Sequence, residues 1–235
     1  MASVEKQVTL VGVGHVFDIS SQVKDIIATV QPDVVALELD RNRLQALLTP
    51  GEKRGNLPFF HTLLASLQER IAKKYGVATG SEMKAAAQMA EENAIGILCI
   101  DMDVSVTMNR LWRDIPLRKK VLFMLSGISS LFISKKRVEA EIASFETGPQ
   151  TYLQEMQSTF PELYTILIEK RNQYMTSRLM HAVDMYDRIV AFVGEGHISG
   201  MEDLLPDDEI TVSVIHLSDL RTNQWKDKLL ESTPV

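Results

Sequence analysis

The sequence predicts an α/β fold: a largely parallel central sheet with flanking helices and a helical insertion. Three observations carry that prediction. Short apolar runs rich in Val and Ile recur at 7–13, 33–39, 94–100, 188–194 and 210–217. Segments of helical periodicity separate the first three. The stretch 104–187 contains no convincing strand and reads as helix. Alternation of strand and helix builds a layered sheet with right-handed crossovers.

The elements follow in order. "QVTLVGV" (7–13) opens the sheet, and "DVVALEL" (33–39), "AIGILCI" (94–100) and "RIVAFVG" (188–194) are almost continuous in apolar residues. Such runs suit strands covered on both faces. Between the first two strands, "DISSQVKDIIATVQP" offers Ser20 or Ser21 as a helix cap. Its stripe is Val23, Ile26, Ile27 and Val30, and Pro32 stands just past the end. A second helix is expected near Asn42 with Leu44, Leu47 and Leu48 inward. "GSEMKAAAQMAEENA" (80–94) reads as a serine cap, an acidic first turn and an alanine-rich helix leading into the third strand. The block 104–187 is expected to break near Pro116, Gly127, Gly148-Pro149 and Pro161. "ITVSVIHL" (210–217) supplies a last strand. The expectation is one domain over 1–235, with 104–187 as an insertion.

Composition narrows the function classes. A chain of 235 residues with 45% hydrophobic content buries a real core. A formal net charge of −6 gives no broad attraction to nucleic acid, and none is expected as a partner. The single cysteine, Cys99, stands in an apolar run and reads as a small core residue. A lone cysteine also excludes an internal disulfide framework. The N-terminal "MASVEKQVTL" lacks the apolar core of a signal peptide. No run reaches the ~18 apolar residues needed to span a bilayer. A cytoplasmic protein without a transmembrane segment is expected. "VLFMLSGISSLFIS" (121–134), followed by Lys135, Lys136 and Arg137, reads first as a buried helix. A partner protomer, a greasy substrate or a membrane surface are its alternatives, and a homodimer is expected.

The chemistry-bearing residues gather around a repeated turn. "LVGVGHVFDI" (10–19) and "AFVGEGHISG" (191–200) each place Gly-x-Gly-His between an apolar run and a helix start. In an open parallel sheet, ligands collect at the carboxyl ends of the strands, where His15 and His197 fall. Glu38 closes the run "VVALEL", and a carboxylate entering a buried layer is costly unless paired or metal-bound. Two imidazoles and a carboxylate make a three-point site for a divalent metal with open positions. Taken singly, either turn is equally explained as a helix start. Asp101 and Asp103 read as helix caps or as acids beside the site, and Glu82 as a first-turn acid favoured by the helix dipole. In "LIEKRNQYMTSRLM" (167–180), Glu169, Asn172 and Gln173 share one helical face, while Arg171 and Met175 share another. An exposed helix explains these charges, and so does one that aims Arg171 at an anionic group. His61, His181 and His216 have no matching context.

Four blocks in order carry a resemblance. "LVGVGHVFDISSQVKDIIATVQPDVVALELDRNRLQAL", "GSEMKAAAQMAEENAIGILCIDMDVSVTMNRLW", "LIEKRNQYMTSRL" and "RIVAFVGEGHISGMEDLL" together resemble the TraB/PrgY family of pheromone-shutdown proteins, over about 7–217. That family is similar to Tiki metalloproteases and, more distantly, to erythromycin-esterase-like and ChaN-like proteins. The resemblance implies an α/β core with a helical insertion, two GxxH motifs and an essential glutamate. It maps a metal site to His15, Glu38 and His197, an Arg-Asn pair to Arg171 and Asn172, and a Gly-x-Glu position to Glu82. One departure is Asp101-Met102-Asp103, where many relatives read Asp-Arg-Asp. Another is the polar end of the chain, from which no membrane anchor is expected.

The resulting expectation is a metal-dependent hydrolase, acting on peptides, with Mn, Co or Zn at His15, Glu38 and His197. Glu82 or Asp101 would move protons there, and Arg171 would steady negative charge on the substrate or the transition state. The alternative is a non-catalytic peptide-binding or sequestering protein that uses the same cleft.

Overall fold

The computed structural model describes residues 6–14, 18–49, 80–114, 149–206 and 208–231. His15, His61 and the apolar stretch 121–134 lie outside the described residues. The described parts of 1–103 and 172–235 form one compact unit, and those of 104–171 a second.

The first unit is a sheet sandwiched between helices. Its strands are β1 (Gln7–Val13), β2 (Val34–Leu37), β3 (Gly96–Cys99), β4 (Arg188–Gly194) and β5 (Thr211–Ile215). All pairings are parallel, in the order β3-β2-β4-β1-β5. The helices are α1 (Ser20–Val30), α2 (Arg41–Leu48) and α3 (Ser81–Glu92) in the first half. The second unit holds α4 (Val104–Asp114), α5 (Pro149–Thr159), α6 (Pro161–Tyr164) and a π-helical segment at Thr165–Glu169. Leu163 and Ile166 are its buried anchors. Then come α7 (Lys170–Val183), α8 (Glu195–Glu202), α9 (Leu217–Thr222) and α10 (Trp225–Glu231). All five expected strands are present, and the described part of 104–187 is helical.

Strand parity sorts the core into two layers. Val35, Leu37, Val190, Phe192, Val11 and Val13 face one way, against Val23, Ile26 and Ile27 of α1 and Met83 and Ala87 of α3. Val8, Leu10, Val34, Ala36, Ile189 and Ala191 face the other way, against Met175 and Leu179 of α7 and Ile198 and Met201 of α8. Connections through α1 and α3 step toward the β3 edge on one face. Those through α7 and α8 step toward the β5 edge on the opposite face. Opposite directions on opposite faces keep every crossover of one hand. Neighbouring strands β1 and β4 therefore send their chains to opposite faces, as do β2 and β4. In open sheets of this kind ligands bind where strands diverge in this way, a position that here falls at the carboxyl end of β4.

Three local expectations are corrected. Neither serine caps α1: Ile19 occupies the cap position, and Asp18 accepts the Ser20 N–H at 3.4 Å. At α3 the cap position is Gly80 with φ 79°, and Ser81 is already helical. Glycine adopts that left-handed turn without a Cβ penalty. Glu169, Asn172 and Gln173 do not share a face, since Asn172 is buried and Gln173 exposed. The π-helical segment ending at Glu169 adds a residue to the turn and shifts the helical phase.

Candidate functional site

Glu38 follows β2 in the parity of Val34 and Ala36, which aims it toward the face of α7 and α8. Two residues there meet it. Glu38 Oε2 accepts the backbone N–H of Gly194 at 2.5 Å, and Oε1 stands 3.5 Å from His197 Nε2. His197, in the first turn of α8, donates Nδ1–H to Asn172 Oδ1 of α7 at 2.6 Å. All three side chains are buried, with relative exposures of 7% for Glu38, 5% for His197 and 4% for Asn172. Because Asn172 takes the Nδ1 proton, the ring is held with Nε2 toward the carboxylate. The burial of Glu38 therefore does not by itself demand a metal. The Gly194 backbone amide already offsets part of its desolvation.

Glycines make room for these groups. A Cβ on Gly194 would stand 3.2 Å from Glu38 Oε2 and 3.8 Å from His197 Cδ2. A Cβ on Gly200, one turn along α8, would overlap Asn172 Nδ2. A Cβ on Gly12, at the end of β1, would overlap Glu195 Oε2.

Glu195 opens a second carboxylate–histidine pair that the sequence reading missed. Its Oε1 accepts from His216 Nδ1 at 2.8 Å, and its Oε2 accepts the Leu217 N–H at 2.8 Å. Asp219 accepts the backbone N–H of His216 at 2.9 Å. The hydrogen bond to Glu195 raises the His216 pKa above its ordinary value. Partial burial opposes that rise, and the charges of Glu195, Asp219 and Glu202 add to it. The signal was available: His216 closes the fifth apolar run, as His15 and His197 follow the first and fourth.

The other expected site residues are placed as follows. Glu82 lies buried in the first turn of α3, at 1% exposure. Because α3 descends into β3, that turn lies toward the carboxyl edge of the sheet. Asp101 ends the β3 edge with Oδ2 3.2 Å from Arg43 Nη1 and Oδ1 accepting the Met102 N–H at 2.8 Å. Arg43 thus sets a cation beside Asp101 although Met102 supplies none. Asp103 accepts from Asn42 Nδ2 at 3.4 Å. Arg171 belongs to the second unit, and its Nη1 donates to the Leu167 carbonyl at 3.2 Å. His181 bonds the Ser177 carbonyl of its own helix at 2.7 Å. Burial, with the charge of Asp40, pushes the Cys99 thiol above its ordinary pKa, against weaker effects of Arg41 and Arg178. A thiol so raised is a poor nucleophile.

A separate cleft of about 220 Å³ lies among α1, α2 and α3, beside Lys24, Ser81 and Lys84. Among the described residues, no histidine or carboxylate lines it. Among the described residues, no group of three His, Cys, Asp or Glu side chains gathers as a metal site, and no helix is long and apolar enough to cross a membrane.

An uncharacterized protein of Methanocaldococcus jannaschii is 28% identical over 209 residues, covering 84% of this chain and 53% of its own length. A TraB domain-containing protein of Bos taurus is 25% identical over 244 residues, covering 83% of this chain and 62% of its own. The chain thus spans about half to three-fifths of these relatives. Among solved structures, ChaN of Campylobacter jejuni, described with cofacial heme binding, aligns with a TM-score of 0.39 and 17% identity, over 88% of this chain and 80% of that one. The TraB/PrgY/gumN family model matches residues 2–214, and the chain belongs to that family.

Proposed function

We propose that this chain is a metal-dependent hydrolase of peptides, with Glu38, His197 and His15 holding a divalent Mn, Co or Zn ion. The observation that carries the proposal is the Asn172–His197–Glu38 relay at the carboxyl end of β4. Its donors suit such an ion in kind, because one imidazole nitrogen and one carboxylate oxygen stand 3.5 Å apart. The imidazole also donates its other N–H to a side-chain carbonyl, the support that ligating histidines generally have. No third ligand gathers with them among the described residues, and His15 is the one proposed.

When bound, the ion supplies Lewis acidity toward a carbonyl and toward water. Asn172 holds the His197 ring in one tautomer, and the Gly194 N–H fixes the Glu38 carboxylate. Both donors therefore start preorganised rather than being ordered at the moment of binding. Arg171 is proposed to meet negative charge on the substrate.

Metal titration of the purified chain tests the proposal. One Mn²⁺, Co²⁺ or Zn²⁺ per chain is expected to raise the melting temperature by mass action. The gain should fade as pH falls and the imidazoles protonate. Glu38→Gln, His197→Ala and His15→Ala should each remove it. Metal binding unchanged in all three variants, or no shift in the wild type, overturns the site. Metal-dependent cleavage of a quenched-fluorescent peptide library separates hydrolysis from sequestration, which gives binding without turnover.

A further inference from the structure

Nothing in the proposed metal site uses Glu195 or His216, yet they repeat its chemistry one step along the same edge. Glu38 and His197 join the ends of β2 and β4, and Glu195 and His216 join the ends of β4 and β5. Val13 pairs with Gly194 and Val11 with Ile215, so His216 stands almost level with the glycine. Two strand spacings of roughly 4.8 Å put their backbones about 10 Å apart.

Helix capping accounts for only part of the imidazole's setting: His216 and Asp219 form a capping box at the start of α9. The first N–H groups of α9 are already taken, Leu217 by Glu195 and His216 by Asp219. The His216 ring contributes to neither bond. Instead Nδ1 faces a carboxylate that is only 10% exposed, while the ring itself is 46% exposed. With Nδ1–H committed to a fixed acceptor, Nε2 is the nitrogen available to exchange a proton. An oriented imidazole beside a buried carboxylate is the arrangement general acid–base catalysis uses. The absence of a Cβ on Gly12 is what admits that carboxylate.

We propose that Glu195 and His216 form a proton-transfer dyad for the peptide hydrolysis at Glu38 and His197, with His216 as the donor to the departing amine. The dyad rests on the hydrolase reading of that site. A water oxygen bonds to the substrate carbonyl carbon, the C–N bond breaks, and its electron pair stays on nitrogen. That nitrogen takes the proton from His216 Nε2. One proton of the water restores Nε2–H and the other completes the ammonium, leaving a carboxylate product. Glu195 is the positioning residue. Together with Asp219 and Glu202 it favours the protonated ring.

The test uses the full chain with Mn²⁺ or Co²⁺ and a quenched-fluorescent peptide library. His216→Gln and His216→Ala should lower kcat about 100-fold or more, the usual range for a lost general acid. Metal affinity and KM should stay near the wild-type values. The alkaline fall of the wild-type pH–rate profile, where His216 loses its proton, should disappear, and free imidazole should partly restore His216→Ala. Glu195→Gln keeps the side-chain shape and should move that alkaline limb to lower pH. Wild-type rates and profile in the His216 variants overturn the dyad while leaving the hydrolase reading intact. If the His216 variants do not fold, an unmoved limb in Glu195→Gln overturns it. A wild type that neither binds metal nor cleaves peptide overturns both proposals.

Discussion

Gly200→Ala is a substitution outside the Glu38–His197 contact that should loosen it. By helix propensity alone the change should stabilise α8, by up to ~1 kcal/mol. The structure opposes this, because the new Cβ would overlap Asn172 Nδ2. Asn172 is 4% exposed and holds His197 Nδ1 at 2.6 Å, so it has little room to yield. Displacing it forfeits a buried hydrogen bond, at ~1–3 kcal/mol, and overpacking adds a cost of similar size. The net expectation is a loss of about 2 kcal/mol, or roughly 4–8 °C in melting temperature for a chain of this size. The sign should reverse in an Asn172→Ala background, where the Cβ has space and only the propensity gain remains. Thermal or urea unfolding of the four proteins in the double-mutant cycle measures this directly. If Gly200→Ala stabilises the wild type, or destabilises both backgrounds equally, the Asn172 contact is not what requires glycine there.

Two further outcomes are expected. Arg43→Met removes a partner from Asp101, whose side chain is 4% exposed while that of Arg43 is 37% exposed, so solvent screening limits the loss to about 1–2 kcal/mol. Chemical denaturation showing less than ~0.5 kcal/mol would make the pair energetically idle. The Glu195–His216 pair should give a pH-dependent contribution, since the folded His216 pKa is raised. That contribution is fully present below the unfolded value near 6.5 and is lost as pH rises through the folded one. With the ring 46% exposed, it stays at ~1 kcal/mol or less. The stability difference between wild type and Glu195→Gln should therefore shrink from pH 6 toward alkaline pH, and a difference that grows would contradict the assignment.

The sheet was legible because its central strands, β1, β2 and β4, are covered on both faces, whereas β3 and β5 at the edges are half-exposed. Val34 to Leu37 and Ile189 to Val193 are buried throughout, so period-2 parity and continuous apolarity coincide. Helix starts were less legible, because they depend on backbone conformation as much as on residue type. Gly80 holds its cap position through a left-handed turn, which a serine next door disguises. The π-helical segment before Lys170 left no compositional trace, and it shifts the phase of Glu169 relative to Asn172 and Gln173. Glu38 stood out as one charge in an apolar run, but its partners arise only from tertiary register. Gly194 reaches it because β2 and β4 are neighbours with Leu37 opposite Phe192. His216 was passed over because no glycine-rich turn announces it.

The repetition of Gly-x-Gly-His has a structural cause that the sequence reading did not reach. In each turn, the leading glycine lies in the last two residues of a strand and faces a carboxylate delivered from beyond the end of another strand. Gly194 on β4 faces Glu38 from β2, and Gly12 on β1 faces Glu195 from the end of β4. The second carboxylate is thus carried by the very turn that receives the first. A side chain on either glycine would push its carboxylate out of reach of a histidine, His197 in one case and His216 in the other. The two pairs are therefore stepped along one edge, with the end of β1 between them in strand order. This geometry explains why both glycines are needed whether or not a metal binds.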